Sequence, residues 1–246
     1  MHGLGTLINV IAILAGGFIG LFVKKGLNQK LLDSVMKAIG VAVMFVGISG
    51  ALTGLLKITE GGAIETSGTM LMIVSLILGT FIGELLKIED RLESIGEKLK
   101  GAVKAKDGGN FVEGFVTTTL IFCVGAMAIV GSLEDGLTGD FSMLAAKSVL
   151  DGIMAIIVAS TMGIGVLFSA IPVLLYQGAI TLLAEFISPI LSNELVLNLS
   201  YIGSALIFGI GVNQVFGKKI KTGNMLPALL IPIVYELFNK LILPLF

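Results

Sequence analysis

Apolar runs of about 20 residues, the length a bilayer-spanning helix needs at 1.5 Å rise per residue, recur along the whole chain between short polar stretches. Eight segments meet or approach that length: 3–23, 34–56, 68–87, 113–132, 141–160, 163–185, 195–216 and 225–245. The pattern predicts an all-α fold, a polytopic bundle of about eight transmembrane helices forming one membrane domain over residues 1–246. No basic residue precedes the first run and Lys24-Lys25 follows it. That is the reverse of a secretory leader, so the run reads as a retained helix.

One polar stretch has its own period. Between the third and fourth runs, Ile88, Leu92, Ile95, Leu99 and Val103 recur at helical spacing among charges, which predicts an amphipathic connector over 88–109 lying on the membrane surface. Its final part, Lys104 to Asn110, reads as a turn.

The apolar runs also repeat. Gly5-Thr6 returns as Gly68-Thr69, and Gly16-Gly17-Phe18-Ile19-Gly20 as Gly79-Thr80-Phe81-Ile82-Gly83 at the same offset. Leu52-Thr53-Gly54 is echoed by Leu137-Thr138-Gly139, so the repeated unit reads as a helical hairpin. Each G-x-x-x-G pair strips side-chain bulk from one face and lets a neighbouring backbone come close.

Composition supports the membrane class: 55% of the 246 residues are hydrophobic and 13% charged. Orientation follows from where Lys and Arg fall. Lys24, Lys25, Lys30 and Lys37 follow the first run, Lys87, Arg91, Lys98, Lys100, Lys104 and Lys106 the third, and Lys218, Lys219 and Lys221 the seventh. With these clusters cytoplasmic, both termini are outside. The joint at Ser160–Gly165 carries no basic residue, leaving open whether the fifth and sixth runs are separate spans or one broken element.

Several chemistries drop out. His2 is the only histidine and Cys123 the only cysteine, which excludes a His-based triad, a multi-His zinc site and an intrachain disulfide. No G-x-x-x-x-G-K-[ST] phosphate loop and no nucleic-acid motif is present, and no cofactor is implied. A bound metal would be a hard one, because oxygen donors dominate.

Against this background Lys147 and Asp151 stand out, one helical turn apart inside an apolar run. A charge at the centre of a membrane helix costs about 2.5–3.5 kcal/mol on insertion scales and usually meets a partner helix or a wet cavity. Asp140 falls on the same stripe if the helix extends that far, and Glu134 with Asp135 would form an acidic entrance. Asn9, Gln177, Asn213 and Glu236 are further candidates to line a polar route, while Pro172, Pro227 and Pro232 could free backbone carbonyls. The competing reading of Lys147 and Asp151 is a self-neutralising pair that only fixes helix packing.

The blocks Phe122–Ser132, Asp135-Gly136, Lys147-Ser148-Val149-Leu150-Asp151-Gly152, Gly163-Ile164-Gly165 and Tyr176-Gln177-Gly178, with the opening Gly5-Thr6-Leu7-Ile8-Asn9, resemble the prokaryotic membrane family known as domain of unknown function 554 over almost the whole chain. The resemblance implies a multi-spanning inner-membrane protein, in a family without an agreed activity that is sometimes described as transport proteins. It supplies no catalytic residues.

Together these observations predict a secondary transporter or ion-conducting protein for a small cation or small polar solute, not an enzyme, with the lipid bilayer as its main partner and a homo-oligomer allowed. Asp151 would bind the cation, Lys147 would pair with it in the empty site, and Asn9 and Gln177 would be neutral ligands. The alternative is a scaffold or sensor acting through the 88–109 connector.

Overall fold

The structure is a computed structural model describing residues 2–24, 28–59, 61–104, 110–189 and 191–241. Lys25, Glu60, Lys106 with the rest of the turn at 105–109, and the end of the eighth predicted span lie outside the described residues. Helices dominate because hydrocarbon offers no partner for a free peptide N–H or C=O.

In chain order the helices are α1 (Leu4–Lys24), α2 (Gln29–Leu55), α3 (Thr69–Leu86), α4 (Ile88–Ala102), α5 (Asn110–Cys123), α6 (Ala126–Thr138), α7 (Ser142–Met162), α8 (Ala170–Leu182), α9 (Ala184–Ile187), α10 (Asn193–Phe216) and α11 (Leu230–Leu241). A two-stranded antiparallel hairpin, β1 (Leu56–Ile58) with β2 (Ile64–Thr66), links α2 to α3, pairing Lys57 with Glu65. Two 3-10 segments, Ile164–Ser169 and Thr222–Leu229, lead directly into α8 and α11.

Among the described residues six segments are long and apolar enough to cross a membrane, and α5 with α6, bent by 60°, makes a seventh if the pair acts as one span. The predicted fourth run is therefore not one straight helix. It breaks at Gly125, whose φ of 152° is open only to glycine. The fifth and sixth runs are separate, divided at Gly163 (φ 86°, ψ −153°). The predicted eighth run is a 3-10 segment followed by the 12-residue α11. Pro172 and Pro232 each occupy the third position of their helices. Each therefore sits where a 3-10 segment gives way to an α-helix.

Contacts fix the direction of each element. α1 runs parallel to α7: Gly5 meets Leu144, Gly16 meets Gly152 and Gly20 meets Ile156. α2 and α10 run antiparallel, Gly40 against Gly211, Gly47 against Phe208 and Gly54 against Tyr201. Asn224 and Ala228 of the second 3-10 segment lie on Gly83 and Gly79 of α3, so the chain returns along that helix. α1 and α3 thus each use two glycines four residues apart for close backbone approach, on different partners.

One end of the bundle, its N-terminal face, carries His2, the hairpin, and the starts of α7 and α10. The opposite end carries α4, the starts of α2 and α5, and the ends of α7 and α10. α5 starts beside Gly165 while α6 ends beside the α1 start, so the bent pair joins the two faces.

α4 is the amphipathic connector, but a buried polar contact also docks it onto the bundle. The Glu89 carboxylate accepts from Gly223 N at 3.0 Å and pairs with Lys218 Nζ at 2.6 Å, while Glu89 N donates to Asn224 Oδ1 at 2.7 Å. Lys218 also pairs with Glu93. Partial burial alone would depress the Lys218 ammonium, but hydrogen bonds and charge from Glu89 and Glu93 outweigh it and hold the group above its ordinary value of 10.5. A raised lysine stabilises fully below its unfolded value and loses that contribution as pH rises through the folded one. Docking of α4 is therefore expected to persist to about pH 10.5 and to loosen above it. The protein has no tryptophan, so Ile95→Trp provides a single reporter. Its anisotropy should fall only in that alkaline range, and already at neutral pH when Lys218→Ala is added.

Candidate functional site

Four buried polar side chains converge from three helices. Lys147 and Asp151 share one face of α7 and form an ion pair, with exposures of 7% and 8%. Asn9 of α1 donates through Nδ2 to Asp151 Oδ2 at 3.0 Å and to Gln177 Oε1 of α8 at 3.3 Å, and both amide side chains are fully buried. The face of Phe122 lies 5.9 Å from the Lys147 ammonium, a favourable placement for a cation. These helices meet here because Gly16, Gly17 and Gly20 bring α1 against α7 and the first 3-10 segment.

The arrangement matches one acidic acceptor to more than one donor. Asp151 takes a charged and a neutral hydrogen bond on the same oxygen, and Asn9 ties its orientation to Gln177 across the helix boundary. Asn9 Oδ1 and Gln177 Nε2 have no hydrogen-bond partner among the described residues. An unpaired buried polar atom costs about 1–3 kcal/mol, so the cluster has unused capacity to bind a polar guest.

The other predicted residues have different places. Asp135 is fully buried and caps α1: its carboxylate accepts from Gly3 N at 3.1 Å and Gly5 N at 3.0 Å. It therefore closes a helix end, where a carboxylate complements the exposed N–H groups, instead of lining an open acidic mouth. Asp140 precedes α7, is exposed, and accepts from Ser142 N at 2.9 Å. Its hydrogen bonds from the hydroxyl and backbone of Ser142 hold the carboxyl below the usual range. It lies outside α7, two residues before the helix begins, and is not a third rung beside Lys147 and Asp151.

Asn213 locks the turn after α10, accepting from Lys219 N and Ile220 N at 2.8 and 2.9 Å and donating to Ile220 O at 2.7 Å. Glu236 is carried by α11, which packs on α3, the second 3-10 segment and α10.

Hydroxyls that the sequence did not single out lie between the cluster and the N-terminal face. Thr6 is one turn from Asn9, Ser132 one turn from Asp135, and Thr181 one turn from Gln177. Thr181 Oγ1 donates to Ser132 O at 3.1 Å, joining α8 to α6. Such residues carry little signal in sequence, because a membrane-helix hydroxyl commonly bonds a carbonyl of its own helix.

At the opposite face a cleft of about 470 Å³ is lined by Glu89, Glu93, Glu97 and Glu113 and by Lys218. Its lining reaches Leu120, two residues from Phe122. Among the described residues no group of three or more His, Cys, Asp or Glu could hold a metal ion.

The family model for proteins of unknown function DUF554 matches residues 4–237. The chain is 34% identical over 228 residues to the uncharacterized membrane protein YdfK of Bacillus subtilis (strain 168), covering 93% of each. It is 29% identical over 232 residues to the uncharacterized protein YqgA of Escherichia coli (strain K12), covering 93% of this chain and 94% of that one. No solved structure matches. A bundle of apolar helices and a family match spanning nearly its whole length lead to one assignment: the chain belongs to the DUF554 family of membrane proteins.

Proposed function

We propose that the protein is a secondary transporter or ion-conducting protein for a small cation or small polar solute, with Asp151 as the exchanging group. The observation that carries this reading is the convergence of Asp151, Lys147, Asn9 and Gln177 from α7, α1 and α8 inside the apolar bundle. Ionisable residues at such positions face a partner and mark solute routes more often than they serve packing alone. A cation arriving at Asp151 displaces Lys147, and the two occupancies favour different packings of α7, the condition for a switch between states.

The acidic cleft raises the local concentration of cations at the opposite face. α4, held by Glu89, forms one of its walls. In this reading the α4 face, with Lys87, Arg91, Lys98 and Lys218, is cytoplasmic in a prokaryotic inner membrane, and His2 lies outside.

Reconstitution into vesicles, with flux of protons, sodium and divalent cations measured under imposed gradients, tests the proposal. Asp151→Asn is expected to lower the flux at least about tenfold, the effect of about 1.4 kcal/mol on a barrier. A variant as active as the parent removes the role of Asp151.

A further inference from the structure

Four helices packed in a ring, α1 against α7, α8 and α6, and α6 against α7 and α8, each place two buried polar residues one turn apart: Thr6 and Asn9, Ser132 and Asp135, Lys147 and Asp151, Gln177 and Thr181. Their levels can be ordered from the contacts. Asp135 holds the amides of Gly3 and Gly5, Thr181 bonds to Ser132 O, and Asn9 bonds to Asp151 and Gln177. The series therefore runs from the N-terminal face to Asp151.

Along it, Thr6 Oγ1, Ser132 Oγ, Asn9 Oδ1 and Gln177 Nε2 have no hydrogen-bond partner among the described residues. Four such atoms in one region carry a penalty that water relieves most cheaply, since a buried water makes two to four hydrogen bonds to groups of this kind.

Beyond Asp151 the lining changes. Ile13, Ala155, Val158, Met162 and Val173 are buried and apolar. The buried hydroxyls of that half on α7 and the first 3-10 segment, Ser160, Thr161 and Ser169, each donate to a carbonyl of their own segment, so among the described residues of α1, α6, α7 and α8 the unpaired polar atoms lie only on the N-terminal side.

We propose that Thr6, Ser132, Asn9 and Gln177 bound a file of water molecules that carries protons between the N-terminal face and Asp151, and that the apolar half beyond seals it. This rests on the transport reading above and names the proton as the exchanged cation. In the step at its end, a water of the file gives a proton to Asp151, forming an O–H bond on the carboxylate, and the file regains that proton from bulk water at the N-terminal face. The step adds one proton and nothing else, so the charge of the pair rises by one.

The hydration of the file is tested without transport. In a Cys123→Ala background, single cysteines are placed by Thr6→Cys, Ser132→Cys, Val158→Cys and Val173→Cys, all close in size to the parent side chains. Each protein is held in lipid nanodiscs with both faces accessible and treated with silver ions, and its remaining thiol is then counted with a maleimide after denaturation. Monodisperse elution identifies the folded variants. Silver is expected to block the thiols at 6 and 132 at least tenfold faster than those at 158 and 173; equal rates, or none at 6 and 132, overturn the file.

Proton carriage is read in vesicles containing a pH dye, where Thr6→Val with Ser132→Ala should slow proton entry at least tenfold. Unchanged entry overturns carriage even if silver enters. Active Asp151→Asn together with fast silver access would instead refute the transport role of Asp151 and leave the hydrated file standing.

Discussion

Lys147→Met alone is expected to destabilise the detergent-solubilised protein by about 3–5 kcal/mol, because it strands the Asp151 carboxylate in a buried site. Denaturation by SDS, followed by helical circular dichroism, measures the loss. Asn9 alone compensates only in part: one hydrogen bond from a neutral donor to a carboxylate contributes about 1.5–3 kcal/mol. Removing both charges, in Lys147→Met with Asp151→Leu, should recover stability to within about 1 kcal/mol of the parent, since paired burial is often no better than well-packed apolar side chains. The recovered double variant should also carry no flux. A stable double variant with parental flux would reduce the pair to a packing element.

The second large effect concerns the α1–α7 seam. A Cβ on Gly16 would sit 2.2 Å from Gly152 O, and one on Gly83 would sit 1.8 Å from Asn224 O. Both obstacles are backbone, so neither can move aside as a side chain tip could. Gly16→Ala is expected to cost about 3 kcal/mol or more, at or above the upper end of overpacking effects, and to separate α1 from α7 enough to break the Asn9–Asp151 bond. Gly178→Ala in α8, where a Cβ meets nothing within 4 Å, should be neutral or stabilising by about 0.5–1 kcal/mol. Matching losses at the two positions in the same SDS titration would refute the seam argument.

Much of the candidate site was legible because charge is rare in a membrane helix. Lys147 and Asp151 could be placed on one face from their spacing, and Asn9 and Gln177 were visible as amides within apolar runs. The spatial union of these four was not visible, since they lie on helices separated by 142 and 168 residues in the bonds that join them. Asp135 and Asp140 read as ligands by charge, and the structure gives their carboxylates to the backbone N–H groups of Gly3 and Gly5 and of Ser142, because a carboxylate near a helix start serves such groups as readily as a cation. The α2–α10 seam was written as Gly40, Gly47 and Gly54 at seven-residue spacing, yet small residues in apolar helices do not say which neighbour they admit.

The break at Gly125 shows the same limit from the side of the fold. Residues 113–132 are apolar throughout their length apart from Glu113 and hydroxyl-bearing threonines and serine, so hydropathy sees one span. The bend depends on one glycine torsion held by packing between α6, α7 and α8.

By itself the sequence determined the membrane class, the approximate extent of six of the eight apolar runs, and the amphipathic character of α4. Those follow from local quantities: segment length against bilayer thickness, and helical period. The tertiary structure alone decided which helices touch, which carboxylates face solute or backbone, and where unpaired hydroxyls collect. These depend on close approach between distant segments, and that approach is set by the joint shape of two surfaces, which no single stretch of chain encodes.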